Sequence, residues 1–116
     1  NPNWGGVGGS MYSTLEDLGA WAATGFGNDF LPPELAAQRL EAAPLAEGVD
    51  YGLGLMDFGN GWYGHTGEIL GWNSVAAHNP ETGAVFVAYV NESGSLLATA
   101  GPALAAFPDL GGLFGF

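Results

Sequence analysis

Apolar residues Leu15, Leu18, Trp21 and Ala22 recur at the spacing of an amphipathic helix. Ser13-Thr14-Leu15-Glu16, just before them, has the spacing of a capping box. In that motif the Ser13 hydroxyl accepts from the amide three residues on, and Glu16 reaches back to the Ser13 amide. Glu16 and Asp17 fall in the first turn, where the helix dipole favours acids, and Gly25 marks the predicted stop. A second helix is predicted over residues 33–43, opened by Pro33, ended by Pro44, with Arg39 on its solvated side.

After Gly48 the pattern changes to alternation. Tyr51, Leu53 and Leu55 alternate with Gly52, Gly54 and Met56, which predicts a strand with glycines on one face. Asn60-Gly61 signals a hairpin turn. A second strand is predicted through residues 62–66, a loop over 67–71 and a third strand over 72–78, followed by the turn cluster Asn79-Pro80-Glu81-Thr82-Gly83. Residues 84–90 are apolar throughout, the signature of a central strand buried on both faces. A last helix is predicted from Ser95, interrupted by Pro102, and residues 111–116 form a glycine-rich tail. Short connections between strands require antiparallel neighbours, so the expected fold class is α+β, an antiparallel sheet of about four strands with helices packed on it.

Composition narrows the function classes. The 116 residues make one domain; twelve acids face a single base, Arg39, for a formal charge of −11. With no basic stripe, nucleic acid is excluded as a partner, and so is polybasic attachment to a membrane surface. No apolar run is long enough to span a bilayer, so no transmembrane segment is expected. The absence of cysteine removes disulfides, thiolate metal sites and a cysteine nucleophile. The chain opens on Asn1-Pro2-Asn3 without methionine or a signal-peptide pattern, which raises the expectation that it is a piece of something longer.

Candidate chemistry centres on His65-Thr66-Gly67, flanked by Gly64. On a strand, His65 and Thr66 point to opposite faces, and glycines on both sides let a ligand approach the backbone. The bland alternative is a polar strand residue with no chemical role. His78 is the other histidine. If Gly67 pairs with Trp72, His65 lies opposite Ser74 and His78 opposite Gly61, which places the imidazoles on one face about 13 Å apart, too far for a shared metal. No metal and no cofactor are expected. Ser10, Ser13, Ser74, Ser93 and Ser95 lie in no Gly-x-Ser-x-Gly elbow, and none is followed by a lysine three residues on. By itself the chain carries no complete catalytic machine.

Taken together, several segments resemble the serine β-lactamase-like family, which includes class C β-lactamases, D-alanyl-D-alanine carboxypeptidases and related esterases. Gly8-Gly9 followed by Ser13-Thr14 and Asp17-Leu18 is similar to the family's helix entry, and Tyr51-Gly52-Leu53-Gly54 to its Tyr-Gly-Leu-Gly segment. Gly64-His65-Thr66-Gly67 with Gly71 resembles its third active-site motif. The turn at Asn79–Gly83 and the apolar strand ending at Asn91 resemble the next hairpin. The matches keep their order over roughly residues 5–107.

The resemblance implies a sheet belonging to an α/β/α sandwich and acyl-enzyme chemistry on a small amide or ester: a peptidoglycan-like peptide, a β-lactam or an ester. It implies catalytic roles for His65, in proton transfer, and for the Glu68 backbone amide, as an oxyanion donor. It implies substrate binding by Thr66 and Gly67. The family's Ser-x-x-Lys is absent, since the chain has no lysine, and Tyr89-Val90-Asn91 has Tyr-x-Asn spacing but follows the His-Thr-Gly motif instead of preceding it. The expectation is therefore that residues 1–110 are the C-terminal part of a β-lactamase-like domain, that its upstream part supplies the nucleophile, and that this chain alone is inactive. The family habit implies an extracellular or cell-envelope location. The alternative is a non-catalytic β-lactamase-like module for binding or assembly.

Overall fold

The computed structural model describes residues 5–46 and 49–94. Among these residues six strands form one sheet in the order β1-β2-β3-β4-β5-β6: β1 Ala43–Ala46, β2 Val49–Tyr51, β3 Met56–Gly59, β4 Trp62–Ile69, β5 Trp72–Asn79 and β6 Ala84–Val90. Every neighbouring pair is antiparallel, as short connections require. The α+β class and the antiparallel sheet are as expected; β4, β5 and β6 correspond to the strands predicted over 62–66, 72–78 and 84–90, and β1, β2 and β3 are additional to them. Pro44 lies in β1, an edge strand, where a missing backbone donor is tolerated.

Between Tyr51 and Met56 the alternating pattern is a reversal and not a strand. Tyr51 pairs with Met56 across it. The Gly52 amide donates to the Leu55 carbonyl at 2.7 Å, and Gly54 takes φ +77°, a conformation that favours glycine. Alternating glycines here serve a tight turn.

Helix α1, Leu15–Trp21, is capped one residue later than predicted. Thr14 is extended, and its hydroxyl accepts from the Asp17 amide at 3.1 Å. The Ser13 hydroxyl donates to the Thr14 carbonyl instead. Ser13–Glu16 and Thr14–Asp17 are overlapping capping registers, and the backbone bend selects the second. Gly25 is no stop, because a wide π-type turn carries the helix through Ala22–Phe26. Helix α2, Pro33–Leu40, is shorter than predicted: Glu41 is extended, and the Arg39 carbonyl accepts from the Leu53 amide at 3.2 Å.

The core has two halves, one on each face of the sheet. Ala22, Phe26, Leu55 and Ala76 are buried together on the helix side, with Leu18, Leu40, Tyr63 and Val87 against them. Trp62, Val75 and Ala77 are buried on the other side with Phe58, Phe86 and Ala88. Strand β5 therefore contributes to both faces, and it takes the doubly buried role predicted for residues 84–90. Strand β6 is the last of the sheet among the described residues, with Val85 and Tyr89 exposed. The predicted helix from Ser95 and the tail at 111–116 lie outside the described residues.

Candidate active site

The His-Thr-Gly triplet lies in the second half of β4. His65 pairs with Ala76, Thr66 with Val75, Gly67 with Ser74, Glu68 with Asn73 and Ile69 with Trp72. Residues 67–69, predicted as loop, are thus strand, and the turn is Leu70-Gly71 with Gly71 at φ +84°. On its other side, β4 pairs with β3 only at Trp62, Tyr63 and Gly64. Past Gly64, β4 runs beyond the end of β3, so alternate amides and carbonyls of His65–Ile69 face an edge with no strand partner among the described residues.

Gly64 before the triplet and Gly67 within it each answer to a close approach of β5. A Cβ on Gly64 would lie 2.1 Å from the Ala76 carbonyl oxygen and 2.7 Å from Ala77 Cα. A Cβ on Gly67 would meet the Ser74 hydroxyl at 2.7 Å.

His65 is exposed and held at both ring nitrogens. Its Nδ1 bonds the Thr66 carbonyl, and its Nε2 lies 2.8 Å from the Tyr51 hydroxyl. The rings meet edge to face, 5.7 Å between centroids. Residue-by-residue reading did not single out Tyr51; its place at the head of Tyr-Gly-Leu-Gly was the available signal. Thr66 is partly buried, its hydroxyl directed at the Met56 sulfur at 3.7 Å, a weak acceptor. The Glu68 side chain is exposed.

His78 pairs with Tyr63 and not with Gly61. The register places His65 and His78 on one face as diagonal neighbours, about 7–8 Å apart for such pairs and closer than predicted. They remain separate: His65 turns to Tyr51, whereas His78 is buried, with Nδ1 unpartnered among the described residues. Among the described residues no group of three or more His, Cys, Asp or Glu is placed to hold a metal ion.

The other candidates are occupied structurally. Ser93 accepts from the Gly71 amide at 2.6 Å, and Ser74 packs against Gly67. Tyr89 lies on β6, separated from β4 by β5, and its ring meets Trp72 at 6.3 Å. Arg39, predicted on a solvated face, is partly buried. Its Nη1 donates to Asn28 Oδ1 at 2.6 Å and to the Gly25 carbonyl, and its Nε to the Leu53 carbonyl at 3.3 Å. Burial lowers its pKa from the ordinary guanidinium value. Tyr63 is shifted the other way: burial, then the charges of Asp57 and Glu81, raise its pKa. No helix among the described residues is long and apolar enough to cross a membrane.

Comparison with known proteins bears on the family and the fold. A D-stereospecific amidohydrolase from Streptomyces sp. superposes with a TM-score of 0.70 at 27% identity, covering 80% of this chain and 29% of that one. The structure of SurE superposes with a TM-score of 0.58 at 26% identity, covering 85% of this chain and 25% of that one. The chain therefore spans less than a third of the length of either structure. No curated protein gives a match. The Beta-lactamase family model matches residues 1–107, nearly the whole chain and every strand described above, and the chain belongs to the Beta-lactamase family.

Proposed function

We propose that this chain supplies one wall of a serine hydrolase that cleaves a small amide or ester through an acyl-enzyme, in the manner of a D-alanyl-D-alanine carboxypeptidase or esterase. Residues 1–110 would be the C-terminal part of the catalytic domain, and the upstream part of the same domain would bring the nucleophile, so the chain alone turns nothing over. His65 assists proton transfer beside the nucleophile. Thr66 and Gly67 hold the substrate, and the Glu68 amide donates to the developing oxyanion. An extracellular or envelope location is part of the same reading.

The observation that carries this proposal is the edge of β4 after Gly64, which has no strand partner among the described residues, with His65 exposed beside it. A strand edge held by its neighbour on one side and open on the other is a preorganised row of donors and acceptors. Of the two activities, charge favours the esterase over the carboxypeptidase, whose substrate carries a free carboxylate. The single base of the chain, Arg39, is engaged with Asn28, Gly25 and Leu53, while the Glu68 carboxylate is exposed next to the proposed oxyanion site.

The test is acyl-enzyme formation by the longest natural protein containing this segment. Glu68→Pro, which deletes the amide, lowers the rate by about 10²–10³. His65→Ala lowers it by about 10²–10⁴. Glu68→Gln keeps the amide and removes the charge, which improves an anionic substrate relative to a neutral one by about 1 kcal/mol, roughly fivefold. Unchanged turnover in both His65→Ala and Glu68→Pro refutes the site assignment. Failure of the intact protein to form any acyl adduct favours a binding or assembly module.

A further inference from the structure

We infer that Tyr51 is a positioning residue for His65, and that the Tyr-Gly-Leu-Gly segment is folded to hold it there. A carbonyl oxygen can only accept, so the bond between His65 Nδ1 and the Thr66 carbonyl requires the proton to sit on Nδ1. In the neutral ring Nε2 is then an acceptor, and the Tyr51 hydroxyl 2.8 Å away donates to it. The two partners together select one tautomer and one ring orientation for an otherwise exposed imidazole. In the imidazolium form Nε2–H donates and the tyrosine oxygen accepts, so the pairing survives a proton transfer.

The backbone after Tyr51 explains why it stays in place. Gly52 sits against the end of α2, where a Cβ would lie 2.5 Å from the Arg39 carbonyl oxygen and 3.3 Å from that of Glu41. The Leu53 amide donates to the Arg39 carbonyl at 3.2 Å, and the Arg39 side chain returns a bond from Nε to the Leu53 carbonyl at 3.3 Å. Helix end, turn and tyrosine are thereby one assembly, tied to β4 through the histidine. As a statement about catalysis this rests on the function proposed above; as a statement about the histidine tautomer it stands alone.

The experiment is long-range ¹H–¹⁵N NMR of the histidine rings in the longest natural protein containing this segment, at a pH where they are neutral, with the two rings assigned by His65→Gln and His78→Gln. The chain has two histidines, so His78 is an internal control of folding. Wild type is expected to show His65 as the Nδ1–H tautomer, with its unprotonated Nε2 resonance well downfield of the urea-unfolded reference, in which the Nε2–H tautomer predominates, and held slightly upfield of a free pyridine-type nitrogen by the accepted hydrogen bond. Tyr51→Phe shifts that resonance downfield and leaves His78 in place; Gly52→Ala does the same while retaining the hydroxyl. An Nε2–H tautomer in wild type overturns the inference. So does an unchanged Nε2 resonance in folded Tyr51→Phe. Should that variant unfold, seen as loss of the native His78 signals, the wild-type comparison decides, and an Nε2 resonance equal to the unfolded reference overturns it. The measurement uses no substrate, so its failure is distinct from failure of the acyl-enzyme test.

Discussion

Arg39 Nη1 donates to Asn28 Oδ1 at 2.6 Å, which commits the one basic side chain of the protein to its own scaffold. Asn28 is itself in the left-handed region, at φ +64°, where asparagine is among the better tolerated residues. The same guanidinium reaches Gly25 and Leu53, joining the end of the π-type turn, the following bend and the turn between β2 and β3.

Replacing Arg39 with Met removes these bonds and leaves three acceptors to find other partners. The expected loss is about 2 kcal/mol, the range for hydrogen bonds to a charged group. Arg39→Lys recovers only part of it, because an ammonium lacks the planar fork that serves several acceptors at once. Urea unfolding of the three proteins checks both statements.

Gly64→Ala and Gly67→Ala separate an obstacle of backbone from one of side chain. At Gly64 the new methyl meets the Ala76 carbonyl and Ala77 Cα, which cannot move without opening the ladder. That variant is expected to lose at least the roughly 1–3 kcal/mol of an overpacked site. At Gly67 the obstacle is the Ser74 hydroxyl, so Ser74→Ala should relieve most of the cost. A double-mutant cycle on Gly67 and Ser74 would then show favourable coupling between the two changes.

The helix cap distinguishes two neighbouring hydroxyls. Thr14→Ala removes the acceptor of the Asp17 amide and should cost about 1 kcal/mol. Ser13→Ala removes an exposed bond to the next carbonyl and should stay within about 0.5 kcal/mol. Equal costs in thermal or urea unfolding would contradict the assignment of Thr14 as the cap.

Tyr63 gives a pH signature. Its folded-state pKa is raised above the ordinary 10.0 by burial and by the charges of Asp57 and Glu81. The neutral phenol is therefore favoured by folding. That contribution is complete below the unfolded value of about 10 and is lost as pH rises through the raised folded value. Ultraviolet titration of the phenolate should show a late-ionising component that is absent in Tyr63→Phe and moved to lower pH in Asp57→Asn.

The sequence by itself determined the class of the fold and carried the motif on which the candidate site is proposed. Antiparallel pairing followed from connections too short for crossovers, such as Asn60-Gly61, and α1 from its apolar spacing. His65-Thr66-Gly67 was legible as a motif because residue type and order carry it. What only the tertiary structure decided depends on which segments meet. The alternation over residues 51–56 fits a strand or a turn, and the contact of Gly52 with the end of α2 selects the turn. Residues 84–90 are apolar enough for a central strand, but β5 takes that place because its residues pack into the core on both faces of the sheet. Arg39 is polar by type and partly buried by circumstance, since the carbonyls that accept from it come from segments remote in sequence. Tyr51 and His65 stand fourteen residues apart, and no local pattern encodes a hydrogen bond that exists only once β2, β3 and β4 lie side by side.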